Sequence, residues 1–267
     1  MVNDGSSDKT DVIIKKYIKQ GLPITYFVQQ NKGFAAARNK ALELSKGEWI
    51  AILDHDDLWY PEKLEIQNRS IEKFPEAKLH FSNSEWFRND GTVVRKTIED
   101  KKFESGIIKN GFLRLLSEGC FIDTETVIIE KDTLMKCGRF NERYFYVVDY
   151  DMFLNIAREH DIYYENRVLA KWRIHPKQAS QAMKETMYRE YVDLFGRRLK
   201  ENKNLPKNIK TEMEKVIASN RIKYAFLRLK NLNAKDFILN IGIKEIFYAT
   251  VKLFERITKP IFMKMRS

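Results

Sequence analysis

The stretch Trp49-Ile50-Ala51-Ile52-Leu53-Asp54-His55-Asp56-Asp57 decides the fold class of this 267-residue chain. Its first five residues form an apolar run with the length and composition of a buried strand. Three carboxylates follow at once. Acidic groups this close repel one another unless a cation compensates them, and a hard ion such as Mg²⁺ or Mn²⁺ prefers oxygen ligands and also binds diphosphates. The stretch therefore indicates a metal-assisted nucleotide site at the end of a strand.

Two other interpretations of the acidic stretch stay open at this point. Asp56 and Asp57 are suited to cap a helix that begins near Pro61, with Asp54 closing a turn. Alternatively, Asp54 would be the nucleophile of a phosphatase of the Asp-x-Asp-x-Thr/Val type, which places the attacking carboxylate after an apolar strand. Leu58 stands at the fifth position of that motif, and this departure disfavours a phosphatase.

Length and charge divide the chain into two regions. Residues 1–181 are long enough for one catalytic domain with a full core, and residues 182–267 form a basic, helical C-terminal region. That region holds 20 Lys and Arg against 9 Asp and Glu, so it carries the whole net charge of +11. An anionic partner of the surface is therefore expected there.

The same sequence predicts a cytoplasmic protein. No apolar run approaches the roughly 18 residues of a membrane-spanning helix, and the N-terminus lacks the basic-then-apolar order of a signal peptide. Cys120 and Cys137 have no paired-ligand spacing, which disfavours a thiol metal site or a disulfide framework.

The first 75 residues alternate strands and helices in the rhythm of a βαβ sheet. The pattern predicts a helix over Lys9–Gln20, a strand over Ile24–Val28, a helix over Gly33–Leu44 and a parallel strand over Trp49–Leu53. Ligands of such sheets bind at the carboxyl ends of the strands, where the acidic stretch follows. The predicted class is therefore an α/β nucleotide-binding domain.

Further elements follow downstream. A helix is predicted from Pro61 to about Phe74, and Asn89-Asp90-Gly91 predicts a hairpin turn. The remaining predictions are helices over Gly111–Leu116 and Asp149–Glu159, strands over Thr126–Ile129 and Val168–Arg173, and a helical region from Met183 with a break at Asn202–Pro206.

A set of short motifs shares one order along the chain. Its members are Asp4-Gly5-Ser6-Ser7-Asp8, Asn31-Lys32-Gly33-Phe34-Ala35-Ala36-Ala37-Arg38-Asn39, the acidic stretch, Gly138-Arg139-Phe140-Asn141, Asp149-Tyr150-Asp151 and Trp172-Arg173-Ile174-His175. In this order and spacing the chain resembles the family 2 inverting glycosyltransferases of the GT-A fold, over about residues 2–180. The resemblance implies a Rossmann-like domain with a mixed sheet that binds a nucleotide-sugar.

The resemblance also implies roles on the donor side of the site. Asp4 would recognise the nucleotide base, and Arg38 would lie near the nucleotide. Asp54 would bind ribose or metal, and Asp56 would coordinate the Mg²⁺ or Mn²⁺ that bridges the diphosphate. Asp57 would support either function.

On the acceptor side, the resemblance implies that Asp149 is the general base, with Asp151 as the alternative base. Val148 stands where the family has Glu, so the second acidic group of that motif is missing. Arg173 and His175 would contact the pyrophosphate or close over the donor. His55 is expected to point away from its acidic neighbours, because side chains alternate along a strand.

Taken together, these features predict a metal-dependent enzyme that moves a sugar, with UDP-sugar as the expected donor, to a glycan or lipid-linked acceptor in surface polysaccharide biosynthesis. The signature of processive synthases, Gln/Arg-x-x-Arg-Trp, is not evident, which favours transfer of single sugars. The family's first strand and helix do not precede Met1, so donor binding is expected to be weak. A truncated, inactive binding protein therefore stays an alternative. Residues 88–125 and the tail are the expected acceptor loops.

Residues 243–259 predict an amphipathic basic helix, with an apolar face opposite most of its Lys and Arg residues. Such a helix suits peripheral contact with an anionic membrane, where each basic residue contributes about 1 kcal/mol. Packing on the catalytic domain is the alternative. Nucleic acid is not an expected partner, because no recognised binding module accompanies the charge.

Overall fold

The computed structural model describes residues 1–99, 103–176, 178 and 183–229. The chain divides into two compact units, Met1–Gln178 and Ala179–Ser267. The predicted boundary after residue 181 falls within residues 179–182, outside the described residues, as does the predicted amphipathic segment 243–259. No helix within the described residues is both long and apolar enough to cross a bilayer.

The first unit begins with a small parallel sheet and two helices. Strand β1 (Val2–Asp4) pairs in parallel with β2 (Phe27–Gln29), and helix α1 (Thr10–Lys19) connects them. The Asp8 carboxylate accepts the backbone N–H of Thr10 at 2.9 Å, which fixes the start of α1. Helix α2 (Phe34–Leu44) follows β2. The predicted βαβ rhythm is confirmed here, with element bounds shifted by one to three residues.

A mixed sheet of seven strands forms the body of this unit. Its strands are β3 (Trp49–Ala51), β4 (Leu58–Trp59), β5 (Ala77–Arg88), β6 (Val93–Lys96), β7 (Gly106–Ile107), β8 (Ile128–Glu130) and β9 (Asp161–Ile174). The main order is β3-β8-β5-β9-β4, while β6 pairs with β5 and β7 pairs with β9. The predicted hairpin around Asn89-Asp90-Gly91 joins β5 to β6.

The direction of β3 differs from the prediction. Within the described residues β3 pairs with β8, and this pairing is antiparallel rather than parallel. Strand β8 is also antiparallel to β5, so it lies between two strands that run the same way. The prediction was wrong because the sequence window around Trp49 shows the strand but does not show which neighbour the fold gives it.

Helices cover the sheet and surround the strand ends. They are α3 (Lys63–Lys73), α4 (Gly111–Glu118), a 3₁₀ turn (Thr124–Thr126), α5 (Lys131–Lys136) and α6 (Val148–Glu159). The core lies along β5, where Leu79 and Phe81 are fully buried, and along α6, where Phe153 and Leu154 are fully buried. Burial of these side chains is the main favourable contribution to folding.

The described part of the second unit consists of two helices, α7 (Lys184–Glu201) and α8 (Lys207–Leu229). The break between them spans residues 202–206, as the sequence predicted. Leu194 of α7 and Met213 of α8 are fully buried.

One buried histidine connects the core to a measurable pH dependence. His80 on β5 is fully buried, and its ring lies 5.5 Å from that of Trp49 and 5.1 Å from that of Tyr163. Its Nδ1 lies 2.9 Å from the Ser70 hydroxyl. Burial lowers the pKa of His80 from 6.5 to about 4.

We therefore expect His80→Phe to flatten the acid side of the stability profile. Because the folded-state pKa of His80 is below the unfolded value, the unfolded chain binds more protons between pH 6.5 and about 4, and the free energy of unfolding falls as the pH falls. At about 1.36 kcal/mol per pKa unit, a shift of this size accounts for about 3 kcal/mol over that window. Urea denaturation at several pH values measures it. His55→Gln, at a side chain that is 90% exposed, is the control, and equal slopes for wild type and His80→Phe would contradict the expectation.

Candidate active site

The acidic stretch forms a tight turn after β3. The backbone N–H of Asp57 donates to the Asp54 carbonyl at 3.2 Å, and the chain then enters β4. Each carboxylate of the turn has a different partner, as described below. The side chain of His55 is 90% exposed, but its Nδ1 lies 3.9 Å from Asp56 Oδ1, so the expectation that His55 points away from its acidic neighbours is wrong for Asp56. Strand alternation does not apply here, because β3 ends at Ala51 and His55 lies in the turn that follows.

Arg38 joins this turn to the predicted general base. Its Nη2 donates to both carboxylate oxygens of Asp54, at 2.9 and 2.8 Å, and its Nη1 donates to Asp149. Arg38 lies in the first turns of α2, and Asp149 lies in the first turn of α6. The structure therefore brings together three predicted site residues that are far apart in sequence.

This ion triplet is only partly shielded from solvent. The side chains of Arg38, Asp149 and Asp54 are 14%, 24% and 37% exposed, respectively. The rings of Phe34 and Phe140 lie 6.0 and 5.7 Å from the Arg38 guanidinium carbon. Burial disfavours the charge of Arg38, but the attraction of Asp149 and Asp54 outweighs it and raises the pKa of Arg38. Arg38 is therefore a fixed positive charge between two carboxylates.

The end of β9 fastens the other half of the acidic turn. The backbone N–H of Arg173 donates to Asp57 Oδ1 at 2.8 Å, and Arg173 Nε donates to the Asp56 carbonyl at 2.7 Å. His175 Nε2 lies 3.0 Å from Asp56 Oδ2. Arg173 and His175 were both predicted as donor-side residues, and the structure places them against the turn.

Asp57 is the buried member of the turn, with 7% exposure. Burial raises its pKa from 3.8 to about 7, opposed by the hydrogen bond from Arg173 and assisted by the negative charges of Asp56 and Asp54. Its position and its bond to the β9 backbone suit a residue that supports the turn.

The acidic turn offers few free ligands to the predicted divalent cation. Among the described residues, no group of three or more His, Cys, Asp or Glu side chains lies close enough to hold a metal ion. Asp54 is engaged by Arg38, and Asp57 is buried, but Asp56 keeps a carboxylate that is 27% exposed. Proteins usually bind Mg²⁺ through one or two carboxylates, and phosphates of the substrate supply further ligands. The turn therefore fits a cation that a bound diphosphate helps to hold, rather than a three-carboxylate site.

The remaining predicted residues have clear structural contacts. The Asp4 carboxylate accepts the backbone N–H groups of Lys32 and Gly33, both at 2.9 Å, and the Gln29 amide at 2.8 Å. Asp4 thus holds the loop that enters α2, and its role toward a nucleotide base stays a prediction. Asp151 is 1% exposed and accepts the Asn141 amide at 2.9 Å.

Two buried charged residues, the acid Glu125 and the base Lys63, were not predicted from the sequence. Glu125 is 2% exposed, and its Oε1 has no hydrogen-bond partner within the described residues. Burial, together with the charges of Asp123 and Asp57, raises its pKa well above the ordinary value. Lys63 is fully buried, and burial lowers its pKa to about 7. No spacing rule pointed to these residues, because they become neighbours only in the folded chain.

The sequence matches a known family over part of its length. Residues 1–119 match the model described as "Glycosyl transferase family 2". An uncharacterized glycosyltransferase of Rickettsia typhi is 30% identical over 204 residues, which are 75% of this chain and 61% of that protein. This chain therefore spans about three-fifths of that relative's length. The putative teichuronic acid biosynthesis glycosyltransferase TuaG of Bacillus subtilis is 38% identical over 102 residues, which are 37% of this chain and 39% of TuaG.

Solved structures share the fold. S. aureus TarS in complex with UDP-GlcNAc aligns with a TM-score of 0.60 at 16% identity, over 92% of this chain and 68% of TarS 1–349. The mannosyltransferase PcManGT of Pyrobaculum calidifontis, in complex with GDP-Man and Mn²⁺, aligns with a TM-score of 0.57 at 15% identity, over 95% of this chain and 70% of that protein. At these identities the likeness shows the fold, and the predicted GT-A fold is confirmed.

The ion triplet predicts the outcome of Arg38→Gln. Removing the guanidinium leaves Asp54 and Asp149 without their shared counter-charge, and we expect a loss of about 1–3 kcal/mol in the free energy of unfolding at pH 7, between the values for exposed and buried pairs. Urea denaturation measures it, with Arg69→Gln as the control because Arg69 pairs with Glu65 on an exposed helix surface. An Arg38→Gln variant as stable as Arg69→Gln would contradict the expectation.

Proposed function

We propose that this chain transfers a sugar from a nucleotide-sugar to a hydroxyl of an acceptor, with inversion at the anomeric carbon, because residues 1–119 match the model of glycosyl transferase family 2. The observation that carries the proposal is the Arg38 bridge between Asp54 and Asp149. An inverting transfer needs the donor-binding side and the general base to face one reacting carbon. The shared arginine supports such an arrangement.

The acceptor hydroxyl loses its proton to Asp149 as its oxygen bonds to the anomeric carbon. At the same time the bond from that carbon to the phosphate oxygen breaks, and the nucleoside diphosphate leaves with the electron pair. Asp149 suits the role of base because its side chain is 24% exposed and lies in the first turn of α6, where the helix dipole favours negative charge. Asp151, the alternative, is 1% exposed and bonded to Asn141, which makes it less accessible to an acceptor.

The donor side uses the turn after β3 and the end of β9. Arg173 and His175 stand beside the Asp56 carboxylate and backbone, where they would contact the diphosphate of the donor. Asp54 would bind the ribose, with Arg38 near the nucleotide, and Asp4 would contact the base. TarS was solved with UDP-GlcNAc and PcManGT with GDP-Man. A UDP-sugar is our proposed donor.

Asp56 is the proposed protein ligand of a divalent cation, with Asp54 and Asp57 near it. When bound, Mg²⁺ or Mn²⁺ would neutralise charge that builds on the departing diphosphate. PcManGT was solved with Mn²⁺, which supports the proposal. Asp57 contributes by holding the Arg173 backbone, and thereby the geometry of the turn.

The proposed acceptor is a glycan or lipid-linked glycan of a surface polysaccharide. TuaG carries the description of a teichuronic acid biosynthesis glycosyltransferase, which supports this substrate class. The family match favours sugar transfer over the phosphatase alternative, whose nucleophile would be Asp54, a carboxylate held on both oxygens by Arg38.

Asp149→Asn tests the proposed base. Asparagine keeps the shape of the side chain but cannot take a proton, so we expect sugar transfer or donor hydrolysis to fall by about 10²–10⁴-fold while donor affinity stays within a few fold. Release of UDP from a UDP-sugar in the presence of Mn²⁺ measures turnover, and calorimetry measures donor binding. Asp151→Asn is the matched control. Retained turnover in Asp149→Asn, or equal losses in both variants at unchanged stability, would rule out Asp149 as the base.

Asp56→Ala tests the proposed cation site. We expect the gain in donor affinity that Mn²⁺ provides to shrink at least about tenfold, because loss of residues that merely support metal ligands already costs 10–100-fold. Calorimetry of UDP-sugar binding with and without Mn²⁺ gives the readout. Asp132→Ala removes an exposed carboxylate that pairs with Lys136 on α5, and this control should behave as wild type. If Mn²⁺ increases the UDP-sugar affinity of Asp56→Ala as much as that of the wild type, Asp56 is not a ligand of the cation.

A further inference from the structure

A row of three side chains crosses the sheet next to the candidate site. Arg95 on β6 pairs with Trp86 on β5, and Trp86 pairs with Trp172 on β9. The Arg95 guanidinium carbon lies 3.7 Å from the Trp86 ring centre, and the two indole rings meet edge to face at 4.2 Å. Directly paired residues on neighbouring strands project to the same face of a sheet. The row is therefore a continuous cationic and aromatic surface.

Arg95 in this row stacks on Trp86 without a direct ion pair among the described residues, although its charge acts on the nearby Asp123 carboxylate and lowers the pKa of that group. The residue is exposed, and within the described part of the chain its guanidinium has neither an ion pair nor a hydrogen bond. Stacking on an indole fixes the plane of a guanidinium and leaves its N–H edge available. A planar guanidinium with a free edge is suited to bind a carboxylate or a phosphate through two parallel hydrogen bonds.

A carboxylate stands beside the row. The Trp86 indole N–H donates to the Thr97 hydroxyl at 2.7 Å, and Thr97 in turn donates to Asp123 Oδ2. The Ser84 hydroxyl donates to the same oxygen at 2.5 Å. Burial raises the pKa of Asp123, while the side chains of Ser84, Thr97 and Trp86 and the charge of Arg95 act to lower it. A carboxylate has about four lone-pair sites, and both hydroxyls reach Oδ2, so Asp123 is able to accept a further hydrogen bond from a ligand hydroxyl. The network fixes both Trp86 and Asp123.

This surface adjoins the candidate site along β9. Trp172 of the row directly precedes Arg173, whose backbone N–H donates to Asp57 Oδ1 at 2.8 Å and whose Nε donates to the Asp56 carbonyl at 2.7 Å. Asp123 immediately precedes the 3₁₀ turn, and the Glu125 carbonyl in that turn accepts the Trp59 indole N–H at 2.8 Å. The row and Asp123 are therefore both connected to elements that border the acidic turn.

We propose that Arg95, Trp86 and Asp123 form an acceptor subsite for an anionic glycan. Arg95 binds a carboxylate or phosphate of the acceptor, Asp123 accepts a hydrogen bond from a neighbouring sugar hydroxyl, and Trp86 holds the plane of the guanidinium. The proposal rests on the proposed function, because it gives the acceptor of that transfer its chemical class: a saccharide that carries negative charge close to the reacting hydroxyl.

Calorimetry with defined glycans tests the subsite. The probes are an oligosaccharide that contains glucuronic acid, the same oligosaccharide with its carboxyl groups reduced to alcohols, and a glycerol phosphate oligomer. We expect the full chain to bind at least one anionic probe at least about tenfold more tightly than the reduced one. The comparison of the two anionic probes distinguishes a carboxylate from a phosphate as the recognised group.

The variants locate the binding. Arg95→Gln should weaken binding of the preferred anionic probe about tenfold or more and leave binding of the neutral probe unchanged. Arg69→Gln removes the same charge from an exposed helix surface and should have no effect. Asp123→Asn should weaken both probes, and thermal denaturation shows whether that variant is folded. Arg95→Gln is the decisive variant because its side chain lies on the surface.

The outcomes separate the subsite from the transfer reaction. Equal affinity for the anionic and reduced probes, no binding of either, or an Arg95→Gln variant that binds as wild type would overturn the subsite. UDP release from a UDP-sugar, measured in parallel, reports the proposed function alone. Anionic glycan binding that depends on Arg95, in a protein without donor turnover, would uphold the surface as a glycan-binding site and overturn the proposed function instead.

Discussion

The candidate site depends on the ion pairs that Arg38 forms with two carboxylates, those of Asp54 and Asp149. Asp54 lies in the turn after β3, and Asp149 lies in the first turn of helix α6. Nothing in the local sequence of either segment predicts that the two side chains lie close together. Two partly buried anions facing one another would repel, and the guanidinium converts that repulsion into attraction. The same side chain links α2, which carries Arg38, to the acidic turn and to α6. One arginine thus connects the three elements on which the proposed function depends.

The end of strand β9 provides the second constraint. Its backbone N–H at Arg173 satisfies the buried Asp57, and its side chains at Arg173 and His175 contact Asp56. A buried carboxylate without a partner is costly, so the Asp57 contact favours one conformation of the turn. Asp54 is 37% exposed but is held on both oxygens by Arg38, whereas Asp56 is 27% exposed and lies next to His175. The three adjacent acids differ because each contacts a different partner: Asp54 contacts Arg38, Asp56 contacts His175, and Asp57 contacts the Arg173 backbone.

Sequence patterns were sufficient for many elements of the fold, and they named residues that the structure brings into contact, Arg38, Asp54 and Asp149. The apolar run before Asp54, the helix over residues 34–44 and the break before residue 207 follow from hydrophobic period and turn chemistry, which are local properties. The sequence did not predict the direction of β3, because strand pairing depends on partners far along the chain. It also missed α5, β4 and most of β9, where short or irregular segments lack a clear period.

The amino-acid sequence alone determined which chemical groups this protein presents. They are an acidic turn after a strand, an arginine (Arg38) in the motif before that turn, and an aspartate (Asp149) at the start of a helix. Only the tertiary structure decided which acid pairs with which base, that Asp57 and Glu125 are buried, and that Arg95, Trp86 and Asp123 share one surface. The physical reason is that composition and spacing fix what a side chain is able to do. Burial and charge neighbours, which fix what it does, arise from contacts between residues distant in sequence.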